Sequence, residues 1–470
     1  MLRSLITGFL ILSFTVALSQ EDAVSLTLEE SIRIALENNL DLQSAQLRSK
    51  RANVNFRRAR NSVLPDLGGS YNIGLSNGRS IDPFTNAYIN RELTFSNAGL
   101  SLDAVIFNGF NLLNRIRQSK LNLRASQMEV EEEKQNLMLD VTLAYLTVLN
   151  NRDLVQLAEN RLETTAEQVN RLQTLYNEEV GNPADFTDIQ GQAAVERTGI
   201  IQSRNNLQES LLNLEQLLNI TYDVAPEGIQ LLVDLEPYSY SAEQVYEEAL
   251  NSLPTFKARE LRVEAARKGV HVARSLYIPE ISLFGQLNTN YSSAAQIFLE
   301  KGTTTVETGN FVTIDNQQIP VFANQTQFTE EPITYNDQFT NNLNSVVGVS
   351  VRLPIFNGFE AKNNVALEKI NLQESIVEMD NTSLRLKQTI EQAHNDMQAA
   401  YTRYNILQEQ VAAFEESFRI NEIRFNSGVS TIVEYTISKN NLDNARINLA
   451  NAKYEYLLRV KVLDYYRGII

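Results

Sequence analysis

The sequence predicts a mixed α and β protein that crosses a membrane as β-strands, carries very long helices outside it, and is built from two similar halves. Three observations predict this class. The pentapeptide Ile-Phe-Asn-Gly-Phe stands twice, at Ile106 to Phe110 and at Ile355 to Phe359, a displacement of 249 residues. Each copy follows a strand-like run and precedes about 70 residues without Gly or Pro, Asn111 to Val180 and Glu360 to Ser427. The chain also opens like an exported protein, yet it holds no later apolar run approaching the roughly 20 residues that a membrane helix needs.

The opening element is MLRSLITGFLILSFTVALSQ, with Arg3, an apolar run from Leu5 to Leu18, and small residues Ala17 and Ser19 before a cut at Gln20. It reads as a signal peptide over residues 1–19, because the run is too short for a membrane anchor. The chain has no cysteine, which excludes disulfides, thiolate metal sites and a lipidated N-terminal Cys. A net charge of −16 without a Lys/Arg cluster argues against a nucleic-acid partner. No Gly-Lys-Ser/Thr phosphate loop occurs, and His271 and His394 each stand alone on a predicted helix. Five Met and no Cys leave soft-metal ligands scarce. The reading is therefore not an enzyme, with no cofactor and no metal.

The rest of the chain is a duplication. At a displacement of 214, Ala35 to Asn38 meets Ala249 to Ser252, Ala59-Arg60 meets Ala273-Arg274, and Pro65 meets Pro279. At 249, Ser101 meets Ser350 and Tyr176 meets Phe425. The change between the two (249 − 214 = 35) locates an insertion in the second copy, between Pro279 and Ser350. The expected organisation is a first structural repeat over 20–222, a linker over 223–240 and a second repeat over 241–470. Each repeat reads helix, strand, loop, strand, long helix, helix.

The strand candidates alternate. In AGLSLDAVIF, Leu100, Leu102, Ala104 and Ile106 share a face opposite Ser101 and Asp103; in SVVGVSVRLPI, Val347, Val349, Val351 and Leu353 oppose Gly348, Ser350 and Arg352. Weaker versions at Gly69 to Leu75 and Ile281 to Asn288 bring the count to four strands of about ten residues, the length that crosses a bilayer when tilted. Four strands cannot close a barrel, and an open sheet edge in hydrocarbon leaves backbone groups unsatisfied, so the chain must oligomerise. Phe107, Gly109 and Phe110, with Pro354, Phe356, Gly358 and Phe359, then mark two strand-to-helix junctions. There the glycines relax the backbone and the Phe rings suit the membrane interface.

Each Gly- and Pro-free run makes a helix of about 105 Å, which needs a partner along its length. Ala158, Leu162, Thr165, Val169, Leu172 and Tyr176 fall in steps of three and four, as do Leu407, Val411, Phe414, Phe418, Asn421 and Phe425. The returning helices do likewise through Leu207, Leu211 and Leu214, and Tyr456, Val460 and Leu463. This is a coiled-coil seam, with no cofactor implied.

Over nearly its whole mature length the chain resembles the TolC-type outer membrane efflux protein family. The duplication, the element order, Pro354 to Phe359 and the segment Arg424 to Glu434 (RFNSGVSTIVE) carry the resemblance, while Val105 stands where the family usually has Pro. The resemblance implies a homotrimer whose three sets of four strands close a 12-stranded β-barrel in the bacterial outer membrane. It implies that the helices continue as a long antiparallel α-helical barrel through the periplasm, to meet a periplasmic adaptor (membrane fusion protein) and an inner-membrane pump. Such a duct passively conducts efflux or type I secretion substrates. The loops at Ser76 to Asn97 and Tyr291 to Asn342 then face outside.

Tyr176, Gly181, Phe425, Gly428, Val429 and Ser430 are expected at the adaptor-contact tip, where Gly181 and Gly428 also end helices. Asp185, Asp188 and Glu434 fall at the spacing at which the family places its periplasmic constriction acids. Ile437 matches Asp188 in the second copy, and Ser430 replaces the family's tip arginine. Asn182 and Thr431, three residues before Asp185 and Glu434, equally read as helix N-caps. The rival readings, a periplasmic coiled-coil adaptor or a surface adhesin on a helical stalk, need no lipid-compatible strands.

Overall fold

A computed structural model describes residues 24–81, 86–90, 92–226 and 235–469. The expected signal peptide and the middle of the expected linker lie outside these residues. The first half runs β1 (Val24–Leu26), α1 (Leu28–Asn38), α2 (Leu40–Asn61), β2 (Asp66–Ser76), β3 (Arg79–Ile81), β4 (Tyr88–Asn90), β5 (Leu93–Asn108), α3 (Asn111–Asn177) and α4 (Pro183–Leu218). The expected linker holds β6 (Val224–Pro226), and the second half runs α5 (Ala242–Ser252), α6 (Pro254–Arg274), β7 (Glu280–Ser292), β8 (Gln296–Ile314), β9 (Gln317–Pro332), α7 (Tyr335–Asn341), β10 (Asn344–Arg352), α8 (Glu360–Asn426) and α9 (Ile432–Arg467).

Elements recur at the two displacements read from sequence. The helices α3 and α8 each have 67 residues, and α4 and α9 each have 36. Capping boxes close on Thr27 with Glu30 and on Ser241 with Gln244, 214 residues apart. One correction concerns the opening helix of each half, which is two helices. The backbone turns extended at Asn39 (ψ 130°) and at Leu253 (ψ 126°), and Asn39 caps the second helix by accepting from the Asp41 and Leu42 amides.

The chain forms two compact units, and each draws on both halves. One holds residues up to Asn53 with Leu121–Val263 and Glu374–Ile470; the other holds Val54–Lys120 and Glu264–Gln373. In the first unit two helical cores are built from equivalent positions. Val141, Ala144, Val148 and Leu214 pack with Ala35, and Ile390, Ala393, Met397 and Leu463 pack with Ala249. The seam of α8 behaves as expected, since Leu407, Val411, Phe414 and Phe418 are half-buried while most of their neighbours are exposed. A parallel pairing of β1 with β6 ties the start of the described chain to the expected linker, and Tyr145 donates to the Leu26 carbonyl (3.0 Å) behind it.

The second unit holds an antiparallel four-stranded sheet in the order β10-β7-β5-β2. Its register puts Tyr71, Ile73 and Leu75 of β2, Leu100, Leu102 and Ala104 of β5, Leu283 and Leu287 of β7, and Val347, Val349 and Val351 of β10 on one face. The other face carries Ser70, Asn72, Asn97, Ser101, Asp103, Gln286, Asn288, Ser350 and Arg352. Among the described residues nothing pairs with the outer edges of β2 and β10.

Two strand details differ from expectation. A bulge between Val105 and Phe107 sets Phe107, not Ile106, opposite Ile281, so strict alternation ends at Val105. In the second half β10 stops at Arg352, because Pro354 has no amide to donate; its equivalent Val105 lets β5 run on to Asn108.

Both junctions adopt one geometry. Gly109 and Phe110 have φ of +63° and +64°, and Gly358 and Phe359 have +61° and +64°. In each, the ring two residues before the Gly meets the following ring edge-on, Phe107 with Phe110 at 5.4 Å and Phe356 with Phe359 at 5.6 Å. The two glycines are not equally replaceable. A Cβ on Gly109 would sit 2.7 Å from Ile278 Cβ, whereas one on Gly358 meets nothing within 4 Å. Gly358→Ala is thus expected to cost about 1 kcal/mol from the left-handed backbone alone, and Gly109→Ala about 2 kcal/mol or more. Thermal unfolding of the detergent-solubilised protein should rank them in that order, and equal midpoints would contradict the Ile278 contact.

The insertion in the second half is structured. An antiparallel hairpin of β8 and β9 turns at Asp315 and Asn316, both at positive φ, and α7 follows it.

Candidate functional site: the helical tips and the ion cluster behind them

Each long helix ends in a tight reversal. In the first, the Val180 and Gly181 amides donate to the Leu175 carbonyl (3.1 and 3.0 Å); in the second, Val429 and Ser430 donate to Arg424 (2.9 and 3.3 Å). The left-handed residue is Gly428 (φ +73°) in the second tip but Glu179 (φ +60°) in the first. Gly181 is therefore not the helix-ending glycine expected. Its role is close approach, because a Cβ there would lie 3.1 Å from the Leu175 carbonyl carbon. Glu179→Gly is expected to stabilise the first tip by about 1 kcal/mol, read as roughly fivefold slower exchange of the Val180 and Gly181 amides. Unchanged exchange would mean Glu179 sits there without strain.

The apex is apolar and open. Val180 is 76% exposed and its equivalent Val429 69%. Val180 lies inside the first expected hairpin end, Tyr176 to Gly181. Phe425, expected on the contact surface, is only 8% exposed; it stacks on Tyr435 at 4.9 Å beneath the Arg171 guanidinium, which bonds Asn426. Phe425 is packing between the two hairpins, in one cluster with Leu172, Ile189 and Ile432. Tyr176 is exposed and stacks on Phe186 at 5.4 Å.

Asp185 and Glu434 both occupy the third position of a helix, behind N-caps Asn182 and Thr431. Neither capping box closes: Asn182 donates its amide to Asp185 Oδ1 (3.1 Å), and the Glu434 carboxylate accepts from Ser430 Oγ (2.6 Å). Within one chain no hydrogen bond among the described residues joins Asp185 or Asp188 to Glu434. Asp188 and Glu434 are exposed and Asp185 half-buried.

Behind the tips lies a buried ion cluster that an apolar seam did not announce. Lys439 Nζ donates to Glu196 Oε1 (3.0 Å) and Asp443 Oδ2 (2.9 Å), and Arg161 Nε reaches the same two atoms at 3.1 and 3.2 Å. Asn440 and Gln192 complete it, accepting from Arg161 (2.8 Å) and donating to Glu196 (3.1 Å). The Lys439 and Glu196 side chains are 3% and 1% exposed. Burial raises the Glu196 carboxyl, but hydrogen bonds from Thr165, Gln192 and Lys439, together with the Lys439 charge, outweigh it and hold the group below the usual carboxylate range. The cluster joins α3 and α4 of one hairpin to α9 of the other.

Comparison with known proteins places this architecture. The Outer membrane efflux protein family model matches residues 31–219 and 245–467. The chain is 23% identical to the outer membrane efflux protein BepC of Brucella suis, over 97% of this chain and 88% of that protein. It is 25% identical to the outer membrane protein TolC of Escherichia coli, over 90% and 78%. The crystal structure of the outer membrane protein VceC from Vibrio cholerae matches with a TM-score of 0.73 at 16% identity, covering 94% of this chain and 96% of that one. With both halves matched in order, the chain belongs to the outer membrane efflux protein family.

Proposed function

We propose that the chain is one third of a passive exit duct. A family member of this kind is an outer-membrane exit channel of efflux or type I secretion systems, with a periplasmic extension. In the proposed duct three four-stranded sheets close a 12-stranded barrel around their polar faces, and the paired long helices continue it as an α-helical barrel. The single observation supporting this reading is the sheet that is apolar on one face, polar on the other and, among the described residues, bare at both edges. In hydrocarbon such edges must be paired, and further copies of the same sheet supply the pairing. The duplication then gives each subunit two equivalent strand-helix junctions and two tips. Helices of 67 residues span about 100 Å, enough to extend far from the membrane.

The duct carries no energy source in this reading, so a periplasmic adaptor and an inner-membrane pump drive it. The exposed apex around Val180, Gly428 and Val429 is the surface we assign to the adaptor. Relatives named for alkaline protease secretion and for pyoverdine export show two cargo classes within the family's reach. Light scattering of detergent-solubilised protein, corrected for bound detergent, should give three chains; a monomer retaining its full β-signal would sink the reading. Arginines at both Gly428 and Val429 should abolish export while trimers persist in the outer membrane. Unchanged export would place the adaptor elsewhere.

A further inference from the structure

We infer that the β8–β9 hairpin binds the same hairpin of the neighbouring copies, so that three hairpins pack through one face into a crown over the extracellular mouth of the duct. This rests on the trimeric reading above. The hairpin leaves the sheet at Ser292, the end of β7 away from the start of α3, since Glu280 at its other end pairs with Asn108 beside the junction.

Its strands of 19 and 16 residues reach about 50 to 60 Å at ~3.3 Å per residue, and among the described residues they pair only with each other. Only Gln296, Val306, Pro320 and Thr326 are even half-buried. An isolated two-stranded hairpin is marginal in water, and this one shows apolar side chains on both faces. Its root is nonetheless firm. The buried Gln338 side chain accepts from the Ser292 amide (2.9 Å) and donates to the Ser292 and Ile333 carbonyls (3.0 and 2.9 Å), and the Ile333 amide donates to Ala295 (3.1 Å). A firm root bearing an unsupported blade calls for a partner at a fixed place.

Register and charge decide which face is covered. The pairing puts Ile297, Leu299, Val306, Val312, Ile319 and Val321 on one face, and Phe298, Phe311, Phe322 and Phe328 on the other with Glu300, Glu307 and Glu330. Packing the aromatic face about a three-fold axis would press three carboxylates per copy together in a low-dielectric contact. The aliphatic face brings only Glu331, at the root. The aliphatic face is the one that packs.

The occupant is a second copy because the hairpin continues from the sheet whose bare edges need further copies. Tethered subunits meet at millimolar effective concentration, against which a dilute outside partner must compete.

The cysteine-free sequence makes the test clean. Val312→Cys reports the aliphatic face and Phe311→Cys the other, with Val321→Cys repeating the first on β9. In trimers verified by light scattering, a membrane-impermeant maleimide should label positions 312 and 321 at least tenfold more slowly than 311, and a short bis-maleimide should convert 312 to covalent dimers. Equal labelling without dimers, in an intact trimer, overturns the crown while leaving the duct standing. Protection of 311 instead overturns the face assignment, and loss of the trimer in the cysteine-free parent overturns both.

Discussion

Replacing Lys439 with methionine is expected to loosen the two hairpins from each other by about 3 kcal/mol, the low end of what removing one partner from a buried charge pair costs. The cluster holds two cations against two carboxylates, and Lys439 is its most enclosed cation. Without it, Glu196 and Asp443 share Arg161 alone and one negative charge stays buried. The loss is held below the upper figure because Arg161 already lies within 3.2 Å of both acids and is partly open to water. Adding Glu196→Gln should recover most of the loss by restoring the charge balance. Amide exchange over residues 432–445 checks this, accelerating about a hundredfold in the single variant and returning near wild type in the double. Equal acceleration in both would show that Lys439 acts through its stem and not its charge.

The same cluster sets an acid limit. Because the Glu196 carboxyl lies lower in the folded chain than in the unfolded one, its contribution is complete above the unfolded carboxylate range, near pH 4.3. It is lost as the pH falls through the lower folded value. The hairpins should therefore hold together through neutral and mildly acidic pH and loosen only below the ordinary carboxylate range.

Much of this architecture is legible in the sequence because its rules are one-dimensional. Absence of Gly and Pro between Asn111 and Asn177 permits one helix, and strand alternation from Leu100 to Ala104 names a lipid-compatible face. The features that escape depend on pairing across the fold. The bulge at Ile106 exists only against Ile281 of β7, and Glu179 takes a left-handed backbone although nothing in its type favours it. Arg161, Gln192, Glu196 and Lys439 are invisible to a seam read from apolar residues. Lys439 and Asp443, four apart on one helix, are the available signal, but such pairs are common on solvated faces. Asp185 and Glu434 are legible twice over, as constriction residues and as first-turn acids behind N-caps, and the caps at Asn182 and Thr431 bear out the second description without touching the first.

Neutralising Asp185, Asp188 and Glu434 together should reduce the preference of the duct for cations by roughly tenfold. In the proposed trimer the three acids recur in each copy around one axis. No arginine stands at the position of Ser430, which donates to Glu434 and leaves its charge in place. Two unit charges ~10 Å apart in water interact by about 0.4 kcal/mol, so a cation passing several carboxylates gains one to a few kcal/mol before screening. A Debye length of about 10 Å at 0.1 M salt trims this to the order of one decade in permeability ratio, and predicts that the effect fades at high salt. The choice of substitution separates the two roles. Asp185→Asn, Asp188→Asn and Glu434→Gln remove the charge while Asn182 and Thr431 still cap their helices, so the fold should lose no more than the few tenths to 1 kcal/mol that an acid gains at a helix N-terminus. Single-channel recordings in planar bilayers, wild type against this triple variant, measure reversal potential and block by multivalent cations. Cation preference and block that both survive would leave Asp185 and Glu434 as first-turn residues and Asp188 as a solvated helix residue, and would move the constriction to another level of the duct.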